Sequence, residues 1–320
     1  MAPLRVIFMG TPDLAGTCLR ALLRAPNLTV AGVVTQPDQP KGRGLKLQPS
    51  PVKTIALEAG LPVLQPERAR TPGFLENLRD WKPGLIAVAA FGQILPPEIL
   101  DLPPHGCLNV HTSLLPKYRG AAPIQYAILN GDPETGVTIM KMDPGLDTGP
   151  ILSAESTPIR PEDNAASLHD RLAEIGGALL VRTIPEFVAG RIQPCPQPSE
   201  GVSHARKIRK EDGRIDWHRP AVAIWNQVRA LTPWPGAFTY FPATPHPLLL
   251  KFWEARPEQA AGEPGRILES GRNGLRVGCG EGSLRILSLQ REGGRRMSAA
   301  DFLAGHPLQG TFQPDTSHRG

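Results

Sequence analysis

Three side chains in this chain have the types and spacing that acyl chemistry uses: Asn109, His111 and Asp147. Cys107–His111 (CLNVH) is a short strand-like run, and side chains two apart on a strand share a face. Asn109 and His111 therefore point the same way, an amide donor beside a titratable imidazole. Val137–Met142 is a second strand-like run. It ends in Asp143-Pro144-Gly145-Leu146-Asp147-Thr148-Gly149, a glycine-bounded loop able to return a carboxylate to the imidazole. In such a set Asn109 stabilises an oxyanion, His111 moves protons, and Asp147 orients and charges the ring. Each residue alone also has a structural explanation. A strand-end histidine is often just a satisfied structural group, and an Asp before Thr-Gly often only forms a turn. The conjunction points to acyl or amide chemistry. No Ser or Cys stands in a nucleophile elbow, so direct transfer without a covalent intermediate is expected.

The elements that must position these residues read as an α/β fold. Leu4–Met9, Val30–Thr35, Val63–Leu64, Gly84–Phe91 and Cys107–His111 are strand-like, and helical stretches lie between them. GLIAVAAF at 84–91 is apolar throughout, as in a parallel strand covered on both faces. The expected architecture is a mostly parallel open sheet with helices on both faces. Ligands sit at the strand ends of such sheets. Ile151–Glu155 reads as an edge strand and Asn164–Ala189 as a long helix. The first strand-to-helix turn, Gly10-Thr11-Pro12-Asp13, lacks G-x-G-x-x-G, and no G-x-x-x-x-G-K-[ST] is present. Nicotinamide dehydrogenases and nucleoside triphosphatases are thereby disfavoured.

At 320 residues, two domains are expected. The Pro- and Ser-rich stretch 191–206 divides them. It separates a domain at 1–190 from a small OB-like β-barrel at 207–314, followed by a tail at 315–320. In the second domain a helix, Pro220–Leu231, precedes short strand runs near 237–241, 248–254, 266–269, 274–278 and 283–290. The chain is expected to fray from Gly310. Residues 1–200 carry 18 Lys+Arg and 19 Asp+Glu, and residues 201–320 carry 17 and 11, which sums to the net +5 of the whole chain. A neutral domain beside a basic one suits a large anionic partner. Arg206, Lys207, Arg209 and Lys210 stand at the entry to the basic domain and are expected to meet phosphates. Lys41, Arg43 and Lys46 lie in a glycine-flexed basic loop, too rich in Gly and Pro for regular structure, whose plain reading is a solvated surface loop. Trp217, Trp225, Trp234 and Trp253 are expected to pack in the core. Cys18, Cys107, Cys195 and Cys279 have neither zinc nor disulfide spacing, so no metal is expected. No apolar run is long enough for a secretory signal or a membrane span. That favours the cytoplasm with no membrane partner, and nothing demands more than a monomer.

NVHTSLLPKYRGAAPIQ at 109–125 and MDPGLDTGP at 142–150 resemble the folate-dependent formyltransferase family. So do FMGTP at 8–12, TQPDQPKGRG at 35–44, KIRKEDGRIDW at 207–217 and RALTPWPGAF at 229–238. The 35–44 loop and the 207–241 segment single out the branch that acts on tRNA, which implies that Lys41, Arg43 and Lys46 dock to an acceptor stem and that Arg206, Lys207, Arg209 and Lys210 meet tRNA phosphates. Departures are small: Asp13-Leu14 where the family usually has Glu-Phe, and Tyr126 at a variable helix position. The resemblance implies a Rossmann-like catalytic domain with Asn109, His111 and Asp147 as its catalytic residues. It implies folate contacts at Ser113, Leu114, Leu115 and Pro116, with the pterin near Phe91, Gly92, Ile94, Asp143 and Gly145. The implied reaction moves the formyl group of 10-formyltetrahydrofolate to the α-amine of methionine on initiator methionyl-tRNA, with Asn109 and His111 bonding the oxyanion. Alternatives are transfer to a sugar or purine-precursor amine, a 10-formyltetrahydrofolate hydrolase, and, from another class, a non-catalytic RNA-binding protein. The basic C-terminal domain counts against small acceptors, the 35–44 loop against a hydrolase, and the intact Asn/His/Asp set against a binding-only protein.

Overall fold

Apolar runs set the sheet. In the computed structural model, which describes residues 3–41, 46–71 and 73–313, they take up strands and helices in the following order. The first part contains β1 (Leu4–Gly10), α1 (Asp13–Leu23), β2 (Leu28–Val34), β3 (Gln39–Lys41), β4 (Lys46–Gln48), α2 (Pro51–Glu58), β5 (Val63–Leu64), α3 (Phe74–Asp80) and β6 (Leu85–Ala89). It continues with α4 (Pro97–Leu100), β7 (Cys107–His111), β8 (Arg119–Gly120), α5 (Pro123–Leu129), β9 (Glu134–Lys141), β10 (Ile151–Pro158), α6 (Ala165–Val188) and β11 (His204–Ala205). The chain divides into two compact units: 1–123, 134–158 and 169–206 in one, 124–133, 159–168 and 207–320 in the other.

The first unit is built on a seven-stranded sheet in the order β10-β9-β7-β6-β1-β2-β5. β7, β6, β1, β2 and β5 run parallel, while β9 is antiparallel to both β7 and β10. Helices cover both faces, as expected. On one face, Ile7, Met9, Ile86, Val88 and Cys107 pack with Phe74 and Leu78 of α3 and Ile99 and Leu100 of α4. On the other, Gly176 of α6 lies so close that a Cβ there would meet Val110 at 2.8 Å, and one on Gly177 would meet Ala21 of α1 at 3.0 Å. Lys41 and Lys46, read as part of an irregular loop, are instead paired strand residues. Gln39–Lys41 and Lys46–Gln48 form a short antiparallel ladder; residues 42–45 lie outside the described ones. The 191–206 stretch belongs to the first unit and is not a free connector. β11 pairs in parallel with β8, Ala121 N donates to Ala205 O, and Ile151 and Cys195 exchange backbone hydrogen bonds.

The second unit follows β12 (Ala237–Phe241), β13 (Leu248–Glu258), β14 (Ile267–Gly271), β15 (Gly274–Gly278), β16 (Ser283–Arg291) and β17 (Met297–Ser298), with α7 (Ala221–Ala230) and α8 (Ala299–Gly305). The main path is an antiparallel sheet ordered β12-β13-β16-β15-β14. Its two edge strands are joined through the chain end. Ile267 N donates to Gly310 O on the β14 side, and Gln313 N donates to Tyr240 O on the β12 side. Expected fraying from Gly310 is thus corrected for 310–313. Phe312 is 2% exposed and stacks on Trp217 at 5.4 Å between ring centroids; residues 314–320 lie outside the described ones. Trp217 is core, as expected, but Trp234 is not. It is 57% exposed, in the turn between Pro233 and Pro235.

Candidate active site

β7 carries Asn109 and His111 on one face, opposite Met140 and Thr138 of antiparallel β9. His111 is buried. Its Nε2 lies 3.0 Å from Tyr118 O. A carbonyl can only accept, so Nε2 holds a proton and, in the neutral ring, Nδ1 is a bare base. Nδ1 faces Asp147 Oδ2 at 3.8 Å, and Asn109 Nδ2 reaches Asp147 Oδ1 at 3.5 Å. The three expected residues therefore meet in one cluster. Burial pushes the imidazole below the ordinary histidine range, and the opposing pull of Asp147 and of the Tyr118 carbonyl does not reverse it. With Nε2 committed to Tyr118 O, a neutral ring presents Nδ1 to the site as an acceptor.

The carboxylate is delivered by a loop that folds on itself. Lys141 N bonds Pro150 O, and Met142 N bonds Cys107 O at the start of β7, so the 143–149 loop lies across β7. Asp143 Oδ1 accepts from Gly145 N at 3.1 Å and Thr148 Oγ1 at 2.7 Å. Gly149 is required, since a Cβ there would sit 1.8 Å from Lys141 O. Asp147 adopts φ 53°, Tyr118 φ 62° and Ala90 φ 44°, a left-handed backbone that costs energy in residues other than Gly. Asp147 Oδ2 is fixed by Gly120 N at 2.8 Å. Gly120, at φ 120°, tolerates the close approach of Ala205 O, which a Cβ would meet at 2.6 Å.

Sequence reasoning missed several members of this arrangement. Thr138 Oγ1 donates to Ser113 O at 2.7 Å and accepts from Leu115 N at 3.1 Å, pinning the 113–116 turn to β9. Tyr118 and Gly120 act through their backbone, which no side-chain pattern reveals. Gln197 donates to Asp147 O from the stretch read as a connector; a Gln between two prolines carries no signal of that.

The residues expected to meet folate are placed unevenly. Ser113 is fully buried and donates to Lys117 O at 2.6 Å, so its hydroxyl builds the turn. Leu115 is buried, while Leu114 and Pro116 are partly accessible. Phe91 is 2% exposed within the core, and its carbonyl accepts from Gln36. Gly92 is exposed, and Ile94 is 74% exposed, an apolar surface suited to a flat ring. Asp143 and Gly145 are engaged with each other and with Thr148. Burial pushes the thiols of Cys18, Cys107 and Cys279 up to about 12, so none of these three is a nucleophile near neutral pH. Among the described residues no cluster of His, Cys, Asp or Glu could hold a metal ion. Among the residues expected to meet tRNA, Arg206, Lys207, Arg209 and Lys210 are exposed, around a buried Ile208. Lys41 and Lys46 end β3 and begin β4, and Arg43 lies outside the described residues.

Residues 4–184 match the formyl transferase family, and residues 207–307 match the formyl transferase C-terminal domain. A methionyl-tRNA formyltransferase of Trichlorobacter lovleyi is 52% identical over 304 residues, 95% of each chain. One of Myxococcus xanthus is 51% identical over 310 residues, 97% of each chain. Among solved structures, an N-formyltransferase from Helicobacter canadensis in complex with folinic acid and dTDP-3-aminofucose superposes with a TM-score of 0.62 at 18% identity. That match covers 93% of this chain and 100% of that one, and it speaks to the fold alone.

Proposed function

Because the chain belongs to the formyl transferase family, among the methionyl-tRNA formyltransferases, we propose that Asn109, His111 and Asp147 move the formyl group of 10-formyltetrahydrofolate to the α-amine of methionine on initiator tRNA. The observation that carries this reading is the approach of Asp147 Oδ2 to His111 Nδ1 at 3.8 Å, with Nε2 committed to Tyr118 O. The neutral amine attacks the formyl carbon and a C–N bond forms. Negative charge collects on the formyl oxygen, where the Asn109 amide donates to it; one such donor typically contributes about 10²–10³ in rate. The amine proton passes to His111 Nδ1, directly or through Asp147, and the imidazolium is then paired with that carboxylate. Nδ1–H returns the proton to the folate N10 as the C–N10 bond breaks. Proton donor and acceptor are thus one group in two states, which contributes roughly 10²–10⁴. Ile94 and Leu146, 74% and 59% exposed, are apolar surfaces suited to covering the donor's ring system.

The phosphates of the acceptor fall to Lys41, Arg43 and Lys46 and to Arg206, Lys207, Arg209 and Lys210. On this reading the enzyme acts as a monomer, in the cytoplasm with the translation machinery. The test is transfer of labelled formyl from 10-formyltetrahydrofolate to charged initiator tRNA, run against free methionine and sugar amines. Labelled formylmethionyl-tRNA is expected. Transfer to a small amine alone rejects the reading.

A further inference from the structure

The carboxylate of Asp147 is held by Gly120 N, but the backbone that carries it is held from elsewhere. Gln197 Nε2 donates to both Asp147 O and Gly149 O, each at 2.8 Å. The same side chain accepts on Oε1 from Arg119 Nη2 at 2.7 Å and Nε at 3.2 Å. All of its hydrogen-bonding capacity on this side is used: two donors on the loop and one acceptor on a guanidinium. Arg119 in turn belongs to β8, which pairs with β11, and Arg119 N donates to Ser203 O. Ser203 Oγ accepts from Tyr118 N at 2.9 Å, and the Tyr118 carbonyl sets the tautomer of His111. One stretch, 197–205, therefore fixes both partners of the acid–base pair. It does so at two backbones of positive φ, that of Asp147 itself and that of Tyr118, whose carbonyl holds His111. Losing the Gln197 donors would let the 147–149 loop relax from that conformation and carry the carboxylate off His111.

We propose that Gln197 is a positioning residue: its amide, oriented by Arg119, holds the backbone of Asp147 so that the carboxylate meets His111 and Asn109. This rests on the acid–base roles given to those residues above. The alternative role, a staple that merely fastens 191–206 to the sheet, needs only the Arg119 side of the amide. Gln197→Glu separates the two. It keeps length and the acceptor for Arg119, now as an ion pair, but presents an oxygen to the carbonyls of Asp147 and Gly149. Gln197→Ala removes both sides. In steady-state formyl transfer, both variants are expected to lose roughly tenfold to a hundredfold in kcat. The KM values for charged tRNA and for the folate donor should stay within about twofold. Because Gln197 acts through Asp147, adding Gln197→Glu to Asp147→Asn should cost no further activity. A Gln197→Glu enzyme at wild-type kcat overturns the proposal, as does a full additive loss in the double variant. A shared rise in both KM values with kcat intact overturns it too. Wild-type enzyme that fails to formylate methionyl-tRNA instead sinks the assigned reaction, and so tells the two failures apart.

Discussion

Replacing Asp147 by Asn keeps the shape of the side chain and removes its charge. The Gly120 N–H still finds an oxygen, so the loop geometry survives, since Gln197 holds the backbone independently. What changes is the face toward His111. Two unit charges 3.8 Å apart attract by about 4 kcal/mol at an effective dielectric near 20. That attraction exists only while the ring is an imidazolium, which is the state in mid-transfer. Its loss therefore raises the barrier and leaves substrate binding alone, by about 10³ in kcat at roughly 1.4 kcal/mol per decade. The amide adds a second effect: with its oxygen kept on Gly120 N in the Oδ2 place, its NH₂ takes the Oδ1 place and sets a donor against the Asn109 Nδ2 donor, which disturbs the oxyanion amide. The pH profile gives an independent reading. In the wild type, burial depresses the imidazole, and the working form is the neutral ring. The acid limb of kcat should then lie below the ordinary histidine value of about 6.5. Asp147 opposes that depression, so Asp147→Asn should move the limb to still lower pH. Single-turnover transfer to charged tRNA between pH 5 and 8 measures both quantities. A variant within about threefold of wild type, or an acid limb that moves up, refutes the reasoning.

Asn109→Ala should lower kcat by about 10²–10³ with little change in KM for either substrate, measured in the same transfer assay. Arg43→Ala should raise KM for charged tRNA more than KM for folate, and equal effects on both would argue against a tRNA contact. Neutralising Lys207 or Arg209 should weaken tRNA binding and reduce the steepness of its salt dependence by about 1 for each phosphate left without its cation, read from filter binding across a salt series. Phe312→Ala should destabilise the protein by about 3–5 kcal/mol in urea unfolding. A change below about 0.5 kcal/mol would return Phe312 to a frayed tail.

The chain is most readable where one residue type meets one period. The GLIAVAAF run lies over β6, and the period-2 argument puts Asn109 and His111 together on β7 from spacing alone. The return of Asp147 follows from its glycine-bounded loop. What stays hidden is carried by backbone groups and by single hydrogen bonds over long sequence distances. The tautomer of His111 is set by a carbonyl, a group every residue has. Gln197 stands 50 residues from Asp147, in a stretch whose prolines suppress any periodicity. Trp234 and Phe312 depart from expectation for the same reason in opposite senses. An aromatic ring prefers burial, but its local sequence does not say whether a partner face is within reach. Phe312 finds Trp217 and Phe241, while Trp234 is exposed in its turn between prolines.

The segment 310–313 has a practical bearing on how the protein can be cut and joined. The family match in this region ends at residue 307, a natural place to trim a shorter version. Trimming there would strip the partner strand from Ile267 and Tyr240 at once and uncover the ring of Trp217. Two sheet margins would then present unpaired N–H and C=O groups beside fresh apolar surface, the template on which a neighbouring copy can add a strand. A version ending at 307 should thus precipitate or self-associate, whereas one ending at 313 keeps its margins sealed. Affinity handles belong beyond Gln313.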